Sequence, residues 1–125
     1  GEKVPLVTLD SLELECCRLI KIDVEGMEHD VLCGALETIR RCRPFLYVEN
    51  DRQEKSAELI RLLQQLDYRL YWHLPPYFRP DNFYRNQVNV FARIVSLNML
   101  CVPSEPPFSP PGLKQVAGPD SDWRA

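Results

Sequence analysis

Leu19-Ile-Lys-Ile-Asp-Val-Glu-Gly-Met-Glu-His-Asp30 decides the fold, because it sorts into two faces and then changes period. In an extended strand successive side chains alternate, which sends Lys21, Asp23 and Glu25 to one side and Ile20, Ile22 and Val24 to the other. After Gly26 the apolar positions become Met27, Val31, Leu32, Ala35, Leu36 and Ile39, a helical stripe. The stretch reads as a strand that passes through a glycine turn into a helix, with carboxylates at the strand's C-terminal end. Open α/β sheets bind ligands in the crevice outside that end.

Working outward, Val4 to Leu9 reads as a short strand and Arg18 to Val24 as a second. The helix is expected from about Met27 to Arg41, with Glu28 and Asp30 in its first turn, Arg40 and Arg41 near its last, and Pro44 beyond it. Phe45-Leu-Tyr-Val-Glu49 is nearly all apolar, as a parallel strand covered on both faces should be. Asp51 with Glu54 resembles a capping box ahead of a helix carrying Leu59, Ile60, Leu62, Leu63 and Leu66. Tyr68 to His73 is the next strand. Leu74 to Arg93, aromatic and broken by Pro75, Pro76 and Pro80, is expected to be an ordered loop of functional length. Ile94 to Val102 returns as the last strand. From Pro103 onward lie six of the eleven prolines, so residues 104–125 are expected to form a disordered proline-rich tail beyond a domain of residues 1–103.

Composition sets the outer limits. With 125 residues there is room for one domain, and a hydrophobic fraction of 45% permits a true core. A formal charge of -3 with interspersed signs gives no basic footprint for nucleic acid. No apolar run approaches the roughly 18 residues of a membrane span. Five cysteines without C-x-x-C spacing suit reduced thiols in a cytoplasmic protein. The chain opens with Gly1 and carries no signal peptide, which suggests an excised piece.

Strands alternating with helices imply right-handed crossovers and parallel pairing of the strands around residues 18–24, 45–49 and 68–73. Their C-terminal ends then share one edge of the sheet. Neighbouring strands lie about 4.8 Å apart, so Asp23 and Glu49 come within side-chain reach if their strands are adjacent. His73 ends on the same edge. Asp23 is the first candidate for chemistry, as general base or metal ligand, against the alternative that it pairs with Lys21. Glu25 either joins it or holds backbone amides at the helix start. The imidazole of His73 suits a general base, or packs among Tyr71, Trp72 and Tyr77. Glu49, Asn50, Trp72, Asn82 and Asn89 are candidates for holding a polar acceptor by hydrogen bonding and stacking.

Several strings together resemble the FkbM-type methyltransferases. They are Val7-Thr-Leu-Asp10, Leu19-Ile-Lys-Ile-Asp-Val-Glu-Gly26 with Glu28, Arg43-Pro-Phe-Leu-Tyr-Val-Glu49, Asn50-Asp51, Tyr71-Trp-His73, Asn82-Phe83, Asn89-Val-Phe91 and Ser96-Leu-Asn-Met-Leu100. The resemblance covers about Val4 to Pro103. It implies an α/β fold that is the second half of a Rossmann-like methyltransferase sheet, mostly parallel with an antiparallel last strand. It further implies S-adenosylmethionine as methyl donor, contacted here through Asp23, and a hydroxyl of a saccharide or natural product as acceptor. The family's glycine loop has no counterpart, since the glycines at 1, 26, 34, 112 and 118 form no G-x-G pair. The chain is therefore expected to be a fragment of a longer O-methyltransferase, inactive alone.

A comparison with catechol-type O-methyltransferases would make Asp23, Glu49 and Asn50 oxygen ligands for Mg²⁺. The reading adopted instead places Glu49 on substrate hydroxyls and Asn50 or Asp51 at a helix cap, with no resident metal. The rival functions are an acceptor-binding module without catalysis and a metal-dependent hydrolase using the strand-end acids.

Overall fold

The computed structural model describes residues 1–124. Strand β1 (Leu19–Ile22) leads through helices α1 (Glu28–Cys33) and α2 (Leu36–Cys42) to β2 (Phe45–Glu49). Helix α3 (Gln53–Gln65) connects to β3 (Tyr68–His73), and after a long loop β4 (Asn98–Pro103) and β5 (Lys114–Gln115) follow. The spatial order is β1-β2-β4-β3-β5. Strands β1 and β2 pair in parallel, and β4 lies antiparallel between β2 and β3. Thus β1, β2 and β3 run in one direction within one sheet and the returning strand is antiparallel. But β4 inserts between β2 and β3, so only β1 and β2 pair in parallel and the other three pairings are antiparallel, which corrects the expected mostly parallel sheet with all three strands paired.

Register explains the core. Ile20, Leu46, Cys101 and Leu70 form one row across four strands, and Ile22, Val48, Met99 and Trp72 form the next. Both crossovers pass over this face, as two right-handed connections progressing the same way must. They bring Leu32, Ala35, Ile39, Leu59, Ile60 and Leu63 onto those rows, all 3% exposed or less.

The other face carries no helix among the described residues, which corrects the expectation that Phe45–Glu49 is covered on both sides. Residues 104–109 cover part of it. Phe108 meets Phe45 edge to face at 6.2 Å, and Arg69 donates to the carbonyls of Pro103 and Pro106. Toward β1 the face stays open, with Leu19 61% exposed.

Three further differences follow. Val4–Leu9 is not a strand; residues 10–12 form a 3-10 turn instead. The expected single helix breaks at Gly34, whose carbonyl accepts from the Asp10 amide (2.9 Å), and a Cβ on Gly34 would lie 3.2 Å from Thr8. Asp10 then caps the restarted helix, accepting from the amides of Thr38 (2.8 Å) and Glu37 (3.1 Å). The last long strand starts at Asn98, not Ile94; before it there is only a bridge between Pro76 and Val95.

The tail departs most from expectation. Residues 114–115 pair with the free edge of β3, the Val116 amide donates to the Leu70 carbonyl at 2.8 Å, and Val116 is buried. An unpaired strand edge attracts such a segment. Trp123 packs against the same core. All five cysteines are free, and no helix among the described residues is long and apolar enough to cross a membrane.

Candidate functional site at the C-terminal strand edge

The turn after β1 is built to present carboxylates. Glu25 (φ 54°) and Gly26 (φ 93°) are both left-handed, a sequence that the glycine makes tolerable. Glu28, buried, accepts from the amides of Gly26 (3.0 Å) and Val24 (3.3 Å). It fills the backbone-holding role considered for Glu25. Arg52 donates to Glu25 Oε2 at 2.7 Å and Lys55 to the Gly26 carbonyl at 2.6 Å, clamping the turn to the start of α3.

On the open face, Glu49, Asn98 and His73 are register partners across β2, β4 and β3. Asp23, one residue beyond the Ile22–Val48 pair, extends this row past β1. Oxygens of Asp23, Glu25 and Glu49 all lie within 4.8 Å of one another. Asp23 also contacts Lys21 Nζ at 2.5 Å, and this hydrogen bond and charge hold its carboxyl below the usual range. The same contact raises the Lys21 ammonium. Glu49 goes the other way: burial, then the charges of Asp23 and Asp51, push it up to about 7. Its Oε2 is enclosed without a hydrogen-bond partner among the described residues. The two neighbouring carboxyls are thus pushed in opposite directions, Asp23 down by Lys21 and Glu49 up by burial and by Asp23.

His73 is oriented by its Nδ1, 2.7 Å from the Tyr47 hydroxyl. Burial raises the Tyr47 phenol, so it remains a neutral hydrogen-bonding group. Asn98, 4% exposed, donates to Ser96 Oγ at 2.7 Å.

The other candidates are placed elsewhere. Asn50 follows Glu49 by one residue and faces the helices, donating to Ser56 Oγ (2.9 Å) and Met99 Sδ (3.4 Å). The oxygen trio Asp23, Glu49 and Asn50 is therefore not assembled; Glu25 takes the third position. Trp72, the register partner of Met99, is also on the helix face and is buried. Asn82 bonds the backbone of Arg79 and Asn86, and Asn89 that of Phe91 and Ala92. Both amides brace turns of their own loop instead of reaching the row. Tyr47 and Asn98 were missed, although Tyr47 shares the parity of Glu49 and Asn98 is the polar residue opening an apolar strand.

Such a row can exchange one proton near pH 7 and hydrogen-bond a polar ligand, and the carboxylates of Asp23, Glu49 and the adjacent Glu25 offer the hard oxygen donors a divalent cation takes. No curated protein and no solved structure matches the chain. The Methyltransferase FkbM domain matches residues 1–70, a shorter reach than the resemblance to Pro103, ending inside β3 but including Asp23, Glu25 and Glu49. With more than half of its residues in that match, the chain belongs to the FkbM methyltransferase family.

Proposed function

We propose that this segment is the acceptor-side half of an S-adenosylmethionine-dependent O-methyltransferase acting on a hydroxyl of a saccharide or natural product. The observation that carries the reading is the row Asp23, Glu49, Asn98 and His73, set at the C-terminal ends of β1, β2 and β3 and the N-terminal end of the antiparallel β4. In the family the cofactor supplies an electrophilic methyl group. The residues here do not make its cradle: at this edge the glycine turn is Gly26, and a Cβ there would lie 3.5 Å from both Arg52 and Lys55 side chains. Asp23 alone is left to touch the cofactor, and the cradle belongs to another segment, which fits the open outer edge of β1. Five free thiols support a reducing compartment, the cytoplasm.

Within this reading an acceptor hydroxyl sits on the row and loses its proton to the Asp23–Glu49 pair. His73, fixed by Tyr47, is the second base. Glu25, tied to Arg52, sets the charge beside them. The test is Asp23→Asn in the methyltransferase that carries this segment. The expected result is a loss of roughly a hundredfold or more in both kcat and kcat/KM, with an unchanged melting temperature. Near-normal turnover would overturn the site. An acceptor-binding module without catalysis predicts no turnover to lose, and acceptor binding alone would be weakened. For the division of labour, titration of S-adenosylmethionine into this chain should show no binding near 1 μM, about -8 kcal/mol.

A further inference from the structure

The opposite face of the same sheet edge holds a cavity of about 380 Å³ between the first turns of α3 and the C-terminal segment. It shares no lining residue with the carboxylate row. Both tryptophans of the chain, Trp72 and Trp123, line it. Asn50 closes its floor at 7% exposure; its Nδ2 is engaged by Ser56 and Met99, while its Oδ1 accepts no hydrogen bond among the described residues. The lining also includes the acids Asp51, Asp120 and Asp122, against one cation, Arg124. Asp51 leans on Arg52 at 3.4 Å, whereas Asp120 has no ion-pair partner among the described residues.

Arg124 shows what the cavity favours. Its guanidinium lies 4.7 Å from the centroid of the Trp123 ring and 3.7 Å from Asp122 Oδ2. An indole face and a nearby carboxylate are the two partners a planar cation takes. Yet Arg124 is 63% exposed, so it occupies the rim and leaves the interior acceptor on Asn50 unused.

We propose that this cavity binds a small molecule bearing a guanidinium group, and that Arg124 is its tethered competitor. The cation stacks on Trp123, one N–H donates to Asn50 Oδ1, and Asp120 and Asp122 supply the opposite charge. The volume of about 380 Å³ is at the lower end of ordinary ligand pockets.

Because both indoles line the cavity, tryptophan fluorescence of the full chain reports on this site. Agmatine should give a saturable change, and N-(4-aminobutyl)urea, in which a neutral urea replaces the guanidinium and the amine is kept, should give none. Arg124→Ala should tighten agmatine by about threefold, the worth of an exposed cation–π contact. The double variant Asp120→Asn, Asp122→Asn should weaken it several-fold with an unchanged circular dichroism melt. A capped Gly-Arg-Gly peptide should bind no more tightly than agmatine. An equal response to N-(4-aminobutyl)urea, no saturation in Arg124→Ala, or binding of the peptide alone would each overturn the proposal.

Discussion

On the helix-covered face Ile22, Leu46, Val48, Leu70 and Met99 are 2% exposed or less, whereas one residue along the same strands Lys21, Tyr47, Glu49 and His73 keep contact with solvent. The strands are shared and only the parity differs. Strand alternation lets one face hold the fold together while the other collects charge. Charges on the helix face would be buried without water or partners, and apolar groups at the open edge would leave nothing to bind a polar acceptor.

The sharpest way to break this contrast is to truncate one leucine on each face. Leu46→Ala should cost about 2–5 kcal/mol, because the methyl groups removed leave a cavity under α3 and its neighbours. Leu100→Ala, on the partly open face, should cost roughly 1 kcal/mol. Denaturant melts of the two variants give the comparison. Equal losses would mean that the open face is covered in solution.

Asp23→Asn should do the reverse of Leu46→Ala, lowering turnover and sparing the melt. Its exposed contact with Lys21 contributes little to stability. A melting temperature lowered as far as that of Leu46→Ala would move Asp23 from the functional to the structural side of the contrast.

Part of this division was legible in the sequence: period-two alternation around Ile22 marks that strand and the acids at its end, whereas Phe45–Glu49, nearly all apolar, reads as covered on both faces and hides its open side. The trio of Asp23, Glu49 and Asn50 stayed open in the sequence, because Asn50 lies just past the end of β2 and only its contacts with Ser56 and Met99 turn it to the helix face. What was not legible depended on contacts distant in the chain. The helix break at Gly34 is set by Thr8 and Asp10, 26 and 24 residues away, and the local apolar stripe runs straight through it. The row position of Asn98 requires knowing that β4 inserts between β2 and β3. Proline content hid the tail's order, because what fixes it are scattered long-range contacts: Glu105 with Arg43, Phe108 with Phe45, two paired residues on β3, Val116 and Trp123. Asn82 and Asn89 look like binding amides until their turns are seen.

Asp10 tests how far the helix layer depends on that distant contact. Although loss of solvent works against it, the amides of Thr38 and Glu37 and the Thr38 hydroxyl hold its carboxyl below the usual range. Asp10→Ala should therefore lower stability by roughly 0.5–2 kcal/mol at neutral pH, measured by denaturant melts. The contribution is present above the unfolded-state value near 3.8 and is lost as pH falls through the lower folded value, so variant and parent should converge in acid. A difference that persists unchanged at low pH would remove the charged cap as its cause.

The smallest expected effect sits on the open face and has the opposite sign. Glu49 is raised from near 4.5 to about 7 by burial and by Asp23, so the folded protein holds a proton there that the unfolded chain has released. Between those values the native state binds more protons than the unfolded state, and stability should fall as pH rises. The slope is bounded by one proton, and contact with solvent screens it further. Glu49→Gln keeps the shape and removes the titration. Its stability should be flatter than the parent's from about pH 5 to 7, and it should exceed the parent above pH 7, because a neutral amide does not repel Asp23. Parallel pH profiles for the two proteins would mean that Glu49 is ionised at neutrality, and the proton-sharing pair would then lose its role at the acceptor edge.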